Sequence, residues 1–306
     1  MKLEKFLRNI ASGLTLGLMI IIQGCEKPGM FTEMSPDETG IVFSNDITED
    51  GHNNIMTYEY TYNGAGVAVG DLNNDGLTDI YFIGNQVPNK LFLNLGDWKF
   101  EEVTLQAGLQ GRNDWNTGVS LVDINGDGWL DIYVSYSGNA PSEGYNKAIV
   151  KEYSSRSNQL FINDGGKKGG IPTFTERARE YGVDARGTFT SQAYFFDYDL
   201  DGDLDMFLLN HANMFYSAFF NVQKLRSLRH PYFGNKLYRN DNNKFTEVTE
   251  TTGIHGSGLN FGLSASISDI NKDGWPDIYV TNDYEEQDFC YLNNRDGTFK
   301  EISHLA

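Results

Sequence analysis

The chain has 306 residues, 40% hydrophobic, 13% aromatic and 22% charged, enough apolar material for a large core, and this excludes disorder for most of its length. Thirty-three glycines against seven prolines, with 17 tyrosines and 20 phenylalanines, favour many short strands and tight turns over a helical bundle. A formal charge of −18, from 24 basic and 42 acidic side chains, repels phosphate backbones and argues against nucleic acid as a partner, while Cys25 and Cys290 alone cannot build a disulfide framework or a cysteine zinc site.

In chain order, Lys2, Lys5 and Arg8 precede an apolar run from Ala11 to Ile22. This is the layout of a secretory signal, and the run is shorter than the ~20 residues a bilayer span needs. Ile22-Gln23-Gly24-Cys25 follows and resembles a bacterial lipobox, although Gln23 is bulkier than the usual residue. The resemblance implies cleavage after Gly24, lipidation of Cys25 and residence at a bacterial outer membrane, on the cell surface or the periplasmic face. Loss of residues 1–24 removes three basic and one acidic side chain, leaving 21 against 41 and a charge of −20. Residues 25–39 read as a tether and 40–306 as the folded module.

One unit then recurs four times. Its core is Asp71-Leu-Asn73-Asn-Asp75-Gly76-Leu-Thr-Asp79, then Asp123-Ile-Asn125-Gly-Asp127-Gly128-Trp-Leu-Asp131. The third and fourth copies are Asp197-Tyr-Asp199-Leu-Asp201-Gly202-Asp-Leu-Asp205 and Asp269-Ile-Asn271-Lys-Asp273-Gly274-Trp-Pro-Asp277. Apolar stretches precede and follow each copy (Val67–Val69 and Ile80–Ile83 around the first), which reads as strand, loop, strand. A third run begins at Asn89, Asn158, Asn235 and Phe289, and a fourth at Phe100, Phe174, Phe245 and Phe299; Ala107-Gly-Leu, Tyr181-Gly-Val and Thr252-Gly-Ile turn the chain into the next unit. Four antiparallel strands per unit predict an all-β chain, a β-propeller of four-stranded blades, with units at about 60–110, 111–184, 185–256 and 257–306. First aspartates are spaced by 52, 74 and 72 residues, the excess falling in insertions at 137–157 and 210–234.

At offsets 1, 3, 5 and 9 every copy carries Asp or Asn, and offset 6 is always glycine. Hard oxygen ligands at alternate positions, bent around a glycine, suit Ca²⁺, about four ions in all. Offset 7 varies (Leu77, Trp129, Asp203, Trp275), as a main-chain carbonyl ligand allows. An EF-hand is excluded because offset 12 holds Phe82, Val134, Leu208 and Val280 inside strands where that motif needs a bidentate glutamate. The ligand positions concentrate 13 acidic side chains, and four Ca²⁺ bring the charge from −20 to −12. Chelation is therefore expected to destabilise the fold, with affinities of ~10⁻⁴ to 10⁻³ M typical of extracellular modules.

These loops resemble the FG-GAP repeats of the integrin α-subunit propeller and the related VCBS-type repeats of bacteria, over about residues 60–306. The Phe-Gly pair itself is literal only at Phe261-Gly262; the other units carry Ala65-Gly66, Thr117-Gly118 and Ser191-Gln192. The chain is similar in particular to bacterial surface lipoproteins whose propeller is followed by an ASPIC/UnbV domain. The resemblance implies a seven-bladed ring, so four units read as a truncated member without that domain, with apolar blade faces exposed.

Metal turns join the first two strands of a blade and insertions join the second and third, so the two must emerge at opposite ends. The insertion at 210–234 carries Phe215, Tyr216, Phe219, Phe220, Tyr232 and Phe233 with Lys224, Arg226 and Arg229 and no acid. It reads either as a helix packed on the propeller or as a surface for an anionic or carbohydrate ligand. The expected function is a lipid-anchored adhesion or binding module for an extracellular protein or carbohydrate, touching membrane through its anchor only. The alternative is a polysaccharide-processing enzyme of lyase or hydrolase type. No Gly-x-Ser-x-Gly elbow occurs, His52, His211, His230, His255 and His304 are scattered, and Gly64-Ala-Gly66-Val-Ala-Val-Gly70 has the wrong spacing for a dinucleotide site. Most aspartates suited to glycoside chemistry are committed to the loops, and Cys290 reads as a small core residue.

Overall fold

A computed structural model of the chain describes residues 30–51, 54–138, 153–213, 224, 226–284 and 286–303. The signal, Cys25 and the aromatic stretch Phe215–Phe220 lie outside the described residues. Contacts divide the chain into units 1–39 and 40–306. In the first, part of the expected tether is a helical turn, Pro36–Thr39. Ser35 and Glu38 start it with a reciprocal capping box: the Glu38 N–H donates to Ser35 Oγ (3.3 Å) and the Ser35 N–H to Glu38 Oε2 (2.9 Å).

The second unit is all-β. Its first sheet is β1 (Gly66–Gly70), β2 (Asp79–Ile83), β3 (Lys90–Asn94) and β4 (Phe100–Glu102); its second is β5 (Trp115–Val122), β6 (Asp131–Ser137), β7 (Gln159–Asn163) and β8 (Phe174–Glu176). The third is β9 (Thr190–Phe196), β10 (Asp205–Asn210), β11 (Lys236–Asn240) and β12 (Phe245–Glu247), and the fourth β13 (Gly262–Ser268), β14 (Asp277–Asn282), β15 (Phe289–Asn293) and β16 (Phe299–Glu301). All are antiparallel meanders in chain order, and the inner strands β1, β5, β9 and β13 pack side by side in that order.

Burial explains why the second strands read as continuous apolar runs. Every residue of β6 and of β10 is buried, because both faces of a central sheet are covered. Alternate residues then enter different cores: Ile132 and Val134 pack with Tyr81, Ile83 and Leu91 of the first sheet, whereas Tyr133 packs with Met206 and Leu208 of the third. The glycine turns between units are single helical turns, Thr104–Ala107, Ala178–Tyr181 and Thr249–Thr252, each ended by a left-handed glycine (Gly108, Gly182, Gly253; φ 76°, 81° and 80°).

Two expectations are corrected. The expectation of apolar blade faces holds for one end only: the first sheet exposes Val67 and Val69, whereas the fourth exposes Ser264, Ser266 and Ser268 around Tyr279. Cys290 is no core residue. It pairs with Tyr279 on that serine-bearing face, half-buried, while its neighbours Phe289 and Tyr291 point into the core.

Candidate metal-binding site

Each acidic turn leaves the end of an inner strand and is closed by the same hydrogen bonds. Both oxygens of the offset-1 aspartate accept backbone N–H groups at offsets 5 and 6: Asp71 from Asp75 (3.0 Å) and Gly76 (2.8 Å), and Asp123 from Asp127 (3.0 Å) and Gly128 (2.9 Å). Asp197 does so from Asp201 (3.1 Å) and Gly202 (3.0 Å), and Asp269 from Asp273 (2.8 Å) and Gly274 (2.8 Å). The offset-5 aspartates Asp75, Asp127, Asp201 and Asp273 in turn accept the N–H at offset 7 (2.7, 2.8, 2.9 and 2.9 Å). This wrap requires left-handed backbone at offset 6, where Gly76, Gly128, Gly202 and Gly274 have φ of 89°, 85°, 100° and 91°. A Cβ there would meet nothing within 4 Å, so the glycine serves the backbone angle and not a close approach.

The offset-9 aspartates Asp79, Asp131, Asp205 and Asp277 are completely buried. Each ties its turn to the blade. Asp205 accepts the Tyr198 N–H at offset 2 (3.0 Å) with one oxygen and the Asn240 N–H, at the end of β11, with the other (2.8 Å). Asp79, Asp131 and Asp277 make the same pair with Leu72 and Asn94, Ile124 and Asn163, and Ile270 and Asn293. Burial pushes the carboxyls of Asp79, Asp131 and Asp205 up to about 6, 7 and 7 against the pull of those N–H groups, and neighbouring loop aspartates add to the rise. A group so desolvated and crowded by like charge is one whose ionised form a cation would stabilise.

At offset 3, Asn73, Asn125 and Asn271 donate from Nδ2 to the offset-5 carboxylate (3.0, 2.9 and 3.0 Å). Loop three has Asp199 in their place, and there Asp197, Asp199 and Asp205 bring oxygens within 4.8 Å of one another. Asp199 Oδ1 is buried with no hydrogen-bond partner among the described residues. Loop four differs in the other direction, because the Arg295 guanidinium already pairs with Asp273 (2.9 Å). The donor sets, carboxylates with one amide oxygen in loops one, two and four and carboxylates alone in loop three, each with a main-chain carbonyl at offset 7, fit a hard divalent cation.

Sequence reasoning missed the asparagines that frame the third strands. Asn94, Asn163, Asn240 and Asn293 supply the backbone N–H for the buried aspartates, and two of them bond a neighbouring sheet's turn: Asn163 Nδ2 donates to Leu72 O (3.0 Å) and Asn293 Nδ2 to Tyr198 O (2.8 Å). Their recurrence at fixed places in four runs was the available signal. It also missed a buried aromatic cluster at the other end of the strands, joining Tyr58, Tyr60, Trp115, Phe189, Phe233 and Phe261. The dense Tyr58-Glu-Tyr60-Thr-Tyr62 before the first unit hinted at it.

The FG-GAP-like repeat family matches residues 71–134 and 269–306, which hold the first, second and fourth acidic turns. Cartilage acidic protein 1 of Xenopus tropicalis is 37% identical over 99 residues, 32% of this chain and 14% of that protein. Its Homo sapiens counterpart is 32% identical over 116 residues, 36% of this chain and 17% of that protein. Integrin alpha-4 of Xenopus laevis is 27% identical over 159 residues, 48% of this chain and 14% of that protein. The chain thus spans less than a fifth of the length of these relatives. Among solved structures, the rhamnogalacturonan lyase PL11 of Bacillus licheniformis aligns with 77% of this chain and 41% of its own, at 15% identity and a TM-score of 0.36. FG-GAP-like repeats are therefore present in the chain, within a set of four propeller-type, four-stranded antiparallel sheets.

Proposed function

We propose that the chain is a calcium-stabilised binding module of the bacterial cell envelope, held to the outer membrane by lipid on Cys25, which engages an extracellular protein or carbohydrate and does not catalyse. The observation that carries the calcium reading is the fourfold recurrence of one cup whose base is a fully buried aspartate. Offsets 1, 3, 5 and 9 would hold the ion with the offset-7 carbonyl, and bound Ca²⁺ would neutralise the mutual repulsion of 13 carboxylates. Binding is ordered: loop three, with a fourth carboxylate and an unpartnered oxygen, fills first, and loop four, whose Asp273 is shared with Arg295, fills last.

Calorimetric titration with Ca²⁺ tests this, with thermal unfolding before and after EDTA. The expected result is uptake of about four ions and a midpoint that falls on chelation; no uptake with an unmoved midpoint sinks the reading. Asp199→Asn should convert loop three to the weaker Asn-bearing type. For the anchor, Cys25→Ala should release the protein from membranes.

A further inference from the structure

One cavity of about 300 Å³ is built from the segment that precedes β1 (Tyr58, Tyr60, Asn63 and Gly64) and from the second, third and fourth sheets, at the strand ends opposite the acidic turns. Three inner strands reach it by the same device. The pairings of β5 with β6, β9 with β10 and β13 with β14 each skip one residue at the strand entry, leaving Thr117, Ser191 and Leu263 without a partner opposite. A bulge re-aims a side chain, and these three residues all line the cavity. Tyr60 and His211 form its buried wall, their rings 4.3 Å apart.

The polar groups here are sorted by direction. His211 Nδ1 faces the Ala212 carbonyl (2.9 Å) and must donate to it, which leaves Nε2 an acceptor for the Ser137 hydroxyl (2.8 Å), itself an acceptor from Tyr58 (3.0 Å). Thr117 donates to the Thr190 carbonyl (2.6 Å) and Ser191 to the Gly262 carbonyl (2.8 Å), so each hydroxyl keeps lone pairs for a further donor. Tyr60 is only 8% exposed, yet its hydroxyl has no hydrogen-bond partner among the described residues. Burial, then Asp283 and Glu59, push that hydroxyl's pKa up, so it remains an O–H donor in negative surroundings. Among the described residues, no charged side chain lines the cavity.

We infer that this cavity binds the ring of a neutral sugar: Tyr60 donates to one sugar oxygen, Thr117 and Ser191 accept from sugar hydroxyls, and an apolar C–H face lies against the aromatic wall. Its volume is at the low end of the roughly 300–1,000 Å³ of small-molecule sites, which suits one ring. Negative surroundings select against uronates. The inference rests on the binding-module reading and gives it a site and a ligand class.

The test uses the full chain with Ca²⁺ and measures binding of methyl mannopyranoside, methyl galactopyranoside and methyl rhamnopyranoside by calorimetry and saturation-transfer NMR, with galacturonate and choline as charged arms. At least one neutral glycoside should bind and neither charged probe should. Tyr60→Phe should weaken binding ~10-fold, the worth of one hydrogen bond, while the sugar-free melting midpoint holds or rises because the deleted hydroxyl had no partner. Leu263→Trp, a change at an exposed rim position, should block binding without unfolding the chain. The inference is overturned if no neutral glycoside binds, if choline or galacturonate binds in preference, or if both variants bind like the parent. In those cases, retention on immobilised extracellular protein by the Ca²⁺-loaded chain would leave the module reading standing, and loss of both would end it.

Discussion

The two ends of the inner strands are built on different principles. At the acidic end, contacts within a turn span at most seven residues, so nine consecutive residues nearly specify the shape: Asp197 closes on Asp201 and Gly202, and Asp205 on Tyr198. At the opposite end, Tyr58 meets Ser137 and His211, 79 and 153 residues away. The first end is a local device copied four times. The second exists only once, and only after the sheets have assembled around it. Damage to one turn should therefore stay local, whereas damage to the aromatic end should loosen several sheets together.

The largest effect tests that claim. Phe233 is fully buried, with its ring 5.2 Å from Phe189 and stacked on His230 at 4.0 Å. Phe233→Ala should cost about 3–5 kcal/mol in urea unfolding, through lost burial and a cavity, while Ca²⁺ stoichiometry of the folded fraction stays unchanged. A loss of ions in step with stability would show that the two ends are coupled.

Next comes a buried aspartate. Asp205→Asn keeps the shape but turns an NH₂ toward one of two backbone donors, Tyr198 N–H or Asn240 N–H. The expected cost is about 2–3 kcal/mol, present in EDTA as well as in Ca²⁺. A cost seen only with Ca²⁺ would make Asp205 a ligand alone and not the fastening between turn and blade. Smaller still is the backbone contribution. Gly202→Ala, with φ at 100° and open space around it, should cost about 1–2 kcal/mol. Leu200→Gly in the same turn, where leucine sits at φ 58° and half-exposed, should gain less than about 1 kcal/mol.

The same contrast decides what could be read from the sequence. The four-stranded sheets and their turns were legible because alternation and glycine-bent acid loops are short-range signals repeated four times. The offset-9 aspartates were legible as acids but not as buried fastenings, since their second partner lies on the third strand: Asn94 is 15 residues from Asp79, and Asn240 is 35 from Asp205. The left-handed residue at offset 4 (Asn74, Gly126, Leu200, Lys272) was hidden because no common residue type marks it. The fourth sheet's serine face escaped notice for another reason: Ser264, Ser266 and Ser268 alternate with Ala265 and Ile267 as in any half-buried strand, and nothing local says which half faces solvent. His211 read as one scattered histidine because its partners come from two distant units.

A further modest effect concerns pH and separates the two ends by sign. His230 Nδ1 accepts the backbone N–H groups of Phe233 (3.1 Å) and Tyr232 (3.3 Å), so protonation there would forfeit both bonds. Burial lowers its pKa from 6.5 to about 4. The unfolded chain thus takes up the proton first on acidification: the stability His230 secures is complete above pH 6.5 and drains away as pH falls toward 4. Asp79, Asp131 and Asp205 work oppositely. Raised from 3.8, their contribution is present at low pH and lost as pH rises through about 6 to 7 when no cation is bound. With Ca²⁺ saturating, these carboxylates stay ionised and drop out of the slope. Between pH 7 and 5.5 the Ca²⁺-loaded chain should then lose about 1 kcal/mol, after allowance for solvent screening of a half-buried ring. His230→Asn, which keeps an acceptor but cannot titrate, should flatten that loss. A profile equally steep in the variant would move the titrating group elsewhere, and a profile rising toward acid in Ca²⁺ would mean that the turns do not hold their ions.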